Sequence, residues 1–122
     1  MYLKPQQLAR YKETLQQRQA SKQQQLAQRR QRAWILAKKA SRALKEEHGV
    51  EQVMVFGSMV HQHWFTMTSD IDLAVWRLNC EDYFTAVAKL QDLDPEFEID
   101  LVQIDSCRPA LKQVILNQRK LL

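Results

Sequence analysis

The chain has 122 residues, 45% of them hydrophobic and 26% charged, with a formal net charge of +4, which points to one modest domain. No apolar run approaches the ~20 residues that span a bilayer, the polar start offers no h-region of a secretory signal, and two cysteines, Cys80 and Cys107, make no disulfide framework. The expectation is a cytoplasmic protein with reduced thiols, no membrane contact, and no Cys/His metal site.

The first stretch, Pro5 to His48, has no glycine and no further proline, and is built from Gln, Lys, Arg, Ala and Leu, which favour helix. It divides in two. Residues 5–32 carry ten glutamines and only a thin apolar set, Leu8, Tyr11, Leu15 and Leu26. They are expected to form a basic helical extension, either solvated or laid on a partner. Residues 33–48 place Ala33, Leu36, Ala37, Ala40 and Leu44 at helical spacing, with Trp34 and Ile35 adding apolar bulk, and open the domain proper, 33–122. Gly49 is the expected C-cap. Charge follows the same division: residues 1–49 hold 12 Lys/Arg and 3 Asp/Glu, a balance of +9, and residues 50–122 hold 6 and 11, a balance of −5. A basic front suits an anionic contact, and an acidic back suits a carboxylate-built site.

A strand follows with Val50, Val53, Val55 and Phe56, stopping at Gly57. Residues 58–63 predict a short helix, and 64–69 a loop anchored by Trp64 and Phe65. A second strand runs from Ile71 to Trp76. Glu81 to Asp92 is an amphipathic helix with Tyr83, Phe84, Val87 and Leu90 inward. A third strand spans Phe97 to Ile104, and a last helix runs from Pro109 to Asn117 with Leu111, Val114 and Ile115 inward. Trp34 and Trp76 are expected in the core. Helices alternating with strands predict an α/β (α+β) fold, a small mixed sheet flanked by helices with a long N-terminal helical extension.

Three features carry chemistry. Gly57-Ser58 ends a strand, where glycine admits a phosphate close to the backbone and a helix start offers N–H groups to an anion. Asp70-Ile71-Asp72 opens the next strand, and residues two apart share a face. Two like charges there are unfavourable without a cation between them, and Mg²⁺, which prefers oxygen ligands, fits. Asp100 sits mid-strand among apolar residues, where an unpaired carboxylate is costly. With the pair it would complete a site for one or two ions and activate a hydroxyl. Glu98 shares its face and stands in for it if the register differs. His61 and His63 diverge on a helix and make no metal pair. Scattered Lys/Arg without interleaved aromatics is a weak nucleic-acid footprint, so direct nucleic-acid binding is not expected.

The words Val55-Phe56-Gly57-Ser58 and Ser69-Asp70-Ile71-Asp72-Leu73-Ala74-Val75, with a later strand carboxylate, resemble the DNA polymerase β-like nucleotidyltransferase superfamily. Within it they are similar to the minimal nucleotidyltransferase (MNT) domains, over roughly residues 34–122. The resemblance implies the nucleotidyltransferase fold, Gly57 and Ser58 on the nucleotide phosphates, and Asp70, Asp72 and Asp100 as ligands of Mg²⁺. Asp100 would act as, or orient, the general base. It implies transfer of a nucleoside monophosphate from a nucleoside triphosphate, ATP first, to a hydroxyl. Such MNT proteins are antitoxins of HEPN/MNT toxin–antitoxin modules, so the implied partner is a HEPN-family toxin and the implied acceptor a tyrosine on it. Two further readings stand beside this one: an MNT-fold binding module that neutralises a toxin by occlusion, and a nucleotidyltransferase for RNA or a small molecule. The chain departs from the family after Gly57-Ser58, where His61 and Gln62 stand in place of the usual arginine and glycine. No lysine follows closely, so the triphosphate would need a cation from the basic front or the partner.

Overall fold

The computed structural model describes residue 2 and residues 4–122. The two halves of the N-terminal stretch form one uninterrupted helix, α1, Pro5–His48, of 44 residues. At 1.5 Å per residue it is about 66 Å long. Its start is fixed by Pro5 and by the Lys4 N–H donating to the Gln7 side chain at 3.0 Å. It stops at Gly49, whose left-handed backbone (φ +66°) lets its N–H bond back to Leu44 O.

The remaining elements are β1 (Val53–Phe56), β2 (Ile71–Val75), α2 (Cys80–Gln91), β3 (Ile99–Gln103), α3 (Pro109–Gln118) and β4 (Lys120–Leu121). The strands form one mixed sheet in the order β3-β2-β1-β4. β1 runs antiparallel to β2 and to β4, and β2 runs parallel to β3. A parallel pair needs a long crossover, and α2 supplies it. The mixed sheet flanked by helices is the architecture expected from the alternation of elements.

Alternation along the strands divides the molecule into two faces. On one, Val53, Val55, Ile71, Leu73, Val75, Ile99 and Leu101 pack beneath α1 and α2, against Ala33, Leu36, Ala37, Ala40, Leu44, Ala86 and Leu90. The stripe expected on residues 33–48 is this seam. On the other face Met54, Phe56, Ala74 and Ile104 pack with Ile115 of α3, with Trp76, Val102 and Leu116 half-buried around them.

Several inward assignments are corrected. Phe84 is 79% exposed, because α2 lies on the rim of the sheet and buries only Ala86 and Leu90 fully. Leu111 and Val114 are exposed too: α3 covers one half of its face, so only Ile115 is buried. Trp34 and Trp76 are half-buried rather than core. The loop anchor is Phe65 alone, with Trp64 52% exposed. Residues 58–63 are not a helix. One 3₁₀ turn, Gly57–Met59, is followed by irregular turns. β4 had no signal in the sequence. Two residues long, it is held by Leu122 N–H on Val53 O and by Lys45 Nζ on Leu122 O.

β3 lies at the edge of the sheet, and α2 closes that edge with side chains. Gln91 donates to Ile99 O and accepts from Ile99 N–H, and Tyr83 Oη donates to Leu101 O. No helix of the described residues is long and apolar enough to cross a membrane.

Candidate active site

The half of the second face that α3 leaves open is acidic. The register sets Phe56 opposite Asp72, and Asp72 opposite Asp100 across the parallel pair. The two carboxylates therefore stand side by side on adjacent strands. Asp70, two residues upstream, lies in the approach to β2. Its position is fixed by a hydroxyl-rich turn: the Thr66 N–H donates to Ser69 Oγ at 2.8 Å, the Ser69 N–H bonds Thr66 O at 3.2 Å, and the Ile71 N–H bonds Glu98 O at 2.9 Å.

Electrostatics marks the same group. The Asp72 carboxyl is pushed up to about 6, first by burial, then by the negative charges of Asp100 and Asp70 and by a hydrogen bond with Asp100. Asp100 is exposed. This corrects the expectation of a carboxylate among apolar neighbours: β3 is an edge strand, and its outer end opens to water. The cost falls on Asp72 instead. The register also places Asp100 rather than Glu98 opposite Asp72.

Gly57 is the other half of the arrangement. Its φ is +73°, in the left-handed region, and a Cβ there would stand 2.6 Å from Asp72 Oδ2. Only glycine lets the chain turn this tightly against that carboxylate. A left-handed residue followed by a right-handed turn aims successive N–H groups to one side, the nest geometry that receives anions. Half-buried Ser58 lies inside that turn. The turn is a single one, without the dipole of a longer helix.

Among the described residues no three His, Cys, Asp or Glu side chains converge into one ion-holding group. The close pair is Asp72 and Asp100, with Asp70 contributing charge from the side. An all-oxygen pair beside the Gly57-Ser58 turn suits Mg²⁺, which takes one or two carboxylates and fills its shell with water and substrate phosphates. A cleft of about 460 Å³, lined by Gly49, Gln52, Trp76 and Arg77, lies at the opposite end of β1 and β2 and is not this site.

Sequence reasoning missed two arginines of α1. Arg30 donates to Met59 O at 3.1 Å, and Arg29 to Ser69 O at 3.3 Å. One thus grips the turn after Gly57-Ser58 and the other the residue before Asp70. Arg29 also lies over the Phe97 ring, 4.3 Å from its centre, and 3.4 Å from Glu96, which Arg32 engages at 2.7 Å. Those arginine contacts hold the Glu96 carboxyl below its usual range, chiefly through the hydrogen bond from Arg32. The available signal was helical phase: both arginines flank the stripe of Leu26 and Ala33. At the other departure, His61 stacks on Trp64 with ring centres 4.0 Å apart.

Residues 38–122 match the family model of the polymerase beta nucleotidyltransferases. Among solved structures, the chain is similar to a toxin–antitoxin crystallised with AMP-PNP, at 25% identity and TM-score 0.56 over 68% of this chain and 69% of that one. It is also similar to a MntA-HpeT toxin–antitoxin bearing a tyrosine-to-alanine substitution, at 27% identity and TM-score 0.57 over 70% and 69%. A third likeness, of fold alone, is to a Shewanella oneidensis structure of a tri-AMPylated HEPN toxin in complex with its MNT antitoxin, at 22% identity and TM-score 0.56 over 73% and 70%. No curated protein matches the chain.

Proposed function

The chain belongs to the polymerase β nucleotidyltransferase family, and from that premise we propose that it is a Mg²⁺-dependent protein adenylyltransferase of the MNT type. In this reading it carries AMP from ATP to a tyrosine hydroxyl of a HEPN-family toxin, in the cytoplasm, as the antitoxin of the pair. The observation that carries the proposal is the register of Asp72 on Asp100 beside the Gly57-Ser58 turn. The bound AMP-PNP of one structural neighbour and the AMPylated HEPN toxin of another support the substrate and the acceptor.

The roles follow from position. The N–H groups of the turn at Gly57 and the Ser58 hydroxyl hold the triphosphate. Asp72 and Asp100, with Asp70 beside them, would hold Mg²⁺, and the ion would supply neutralisation of phosphate charge and a lowered pKa for the attacking hydroxyl. Asp100, the most open of the three, takes the hydroxyl proton. The hydroxyl oxygen bonds the α-phosphorus, the bond from that phosphorus to the bridging oxygen breaks, and pyrophosphate leaves.

The test is incubation with ATP labelled at the α-phosphate, Mg²⁺ and the HEPN-family protein encoded beside this chain. Label on the toxin, lost in Asp70→Asn, is the expected result. A parent chain that transfers no label would end the reading. A second reading, toxin neutralisation by occlusion, is favoured by the lack of a ready three-ligand group among the described residues. An Asp72→Asn chain that still neutralises the toxin in cells at matched expression would establish it. Transfer to RNA or a small molecule is the remaining alternative, and mass spectrometry of the products separates it.

A further inference from the structure

The family match begins at residue 38, so the outer half of α1 adds a surface beyond the matched domain. Residues 5–25 are exposed throughout, a free rod about 30 Å long. Its apolar residues are not scattered. Leu8, Leu26 and Leu44 recur every 18 residues, which is five turns of 3.6, so they lie on one line along the helix. Leu44 is fully buried and Leu26 half-buried against the core, whereas Leu8 is 40% exposed. Leu15 (40% exposed) and Tyr11 (57%) fall on the same line within a fraction of a turn. The seam by which α1 packs on its own sheet therefore continues past the end of the domain with none of the described residues beneath it.

Where the seam leaves the domain it meets a cleft of about 430 Å³, lined by Leu26, Ala27 and Arg30 of α1 and by Gln62, His63 and Phe65 of the loop after the Gly57-Ser58 turn. Exposed Trp64 and Met67 belong to the same loop. The free rod, the cleft and the phosphate turn are thus contiguous.

The chemistry of the occupant follows from charge. The free half carries Arg10, Lys12, Arg18 and Lys22 against Glu13 alone, and among the described residues none of the four cations has an ion-pair partner. Two copies of this segment would repel, with one acid each to offset four cations. A phosphate backbone would engage the cations but has no use for a leucine line. A groove that is apolar along its floor and acidic at its rim satisfies both.

We propose that the free half of α1 docks, through Leu8, Tyr11 and Leu15, in an apolar groove with an acidic rim on the partner protein, and that this contact delivers the partner to the cleft beside Phe65. The proposal rests on the reading of that partner as the HEPN-family toxin. Docking by the rod makes the acceptor's arrival local to the acidic row, and raises its effective concentration there.

The test is calorimetric titration of the full chain with the purified HEPN-family protein encoded beside it. Three chains are compared: the parent, Leu8→Glu/Leu15→Glu, and Lys12→Glu/Arg18→Glu. These positions are exposed, so thermal midpoint and ATP affinity should be unchanged. Docking predicts binding at least tenfold weaker for both variants, with a shallower salt dependence for the second. Parent-like binding by both variants overturns the docking and leaves the transferase reading intact. Weakened variants with no AMP transfer by any chain uphold the docking and overturn the transferase reading. A parent that does not bind the toxin overturns both. Self-association of the parent that the leucine variant abolishes, or binding of duplex RNA in place of the toxin, overturns the docking by assigning the rod another occupant.

Discussion

Gly57 and Asp72 are in contact by virtue of a missing atom: a Cβ on residue 57 would stand 2.6 Å from Asp72 Oδ2. Gly57→Ala therefore acts twice. A left-handed backbone costs a residue with a side chain about 1–2 kcal/mol, and the methyl displaces the carboxylate most central to the acidic row. The expected result is a lowered denaturation midpoint together with at least a tenfold loss of nucleotidyl transfer. Equal activity at a lowered midpoint would separate the turn from the chemistry.

Asp72 holds its proton to about 6 in the folded chain, against an ordinary value near 3.8. Between those values the folded state binds more protons than the unfolded. The stability that Asp72 contributes is thus fully present below about 4 and is lost as pH rises through about 6. In metal-free solution the thermal midpoint should fall across that window, and Asp72→Asn should flatten the fall. Mg²⁺ competes with the proton, so its affinity should drop as pH falls below about 6. A midpoint that ignores pH and Mg²⁺ alike would leave Asp72 without the role given to it.

Arg30 and Arg29 hold the two site segments by their backbone carbonyls, Met59 O and Ser69 O. Replacing either by Met keeps the aliphatic stem and removes the guanidinium. A hydrogen bond from a charged donor is worth about 1.5–3 kcal/mol. Arg30→Met should raise KM for ATP more than it lowers kcat, and should speed amide hydrogen exchange at Met59 and Val60. Arg29→Met should do the same at Ser69 and Asp70. Unaltered exchange at those amides would reduce both arginines to surface charge.

The placement of α3 is tested by contrast. Ile115 is fully buried, whereas Leu111 and Val114 are 38% and 48% exposed. Truncating a buried Ile to Ala costs about 2–5 kcal/mol, and an exposed substitution usually stays within about 0.5 kcal/mol. Ile115→Ala should lower the urea midpoint sharply, with Leu111→Ala and Val114→Ala close to the parent. Equal losses at all three would mean that α3 covers the acidic half of the sheet as well.

The sequence was most legible where one short stretch carried both position and chemistry. Asp72 needs only its place on a short strand to come opposite Asp100, and Gly57-Ser58 needs only a strand end, whereas Asp70, one residue before β2, falls outside the strand period expected to align it. The helical stripe from Ala33 to Leu44 was equally local. Assignment failed where burial depends on how far one element overlaps another. Phe84 and Val114 have helical phase appropriate to a core, but α2 sits on a rim and α3 spans half a face. Neither fact is encoded within a helix. The grip of Arg30 on Met59, and the pairing of β4 with β1, join residues far apart along the chain. They emerge only once α1 and the sheet are placed.

The plugging of β3 by Gln91 and Tyr83 has a consequence for how the protein behaves when crowded. The N–H and C=O of Ile99 and the C=O of Leu101 are already engaged, so a strand from a neighbouring molecule would first have to displace two side chains of α2. At the far margin β4 offers two residues, too short a template for ordered growth. Fibrillar stacking is thus discouraged at both margins, and concentrated samples should remain dispersed.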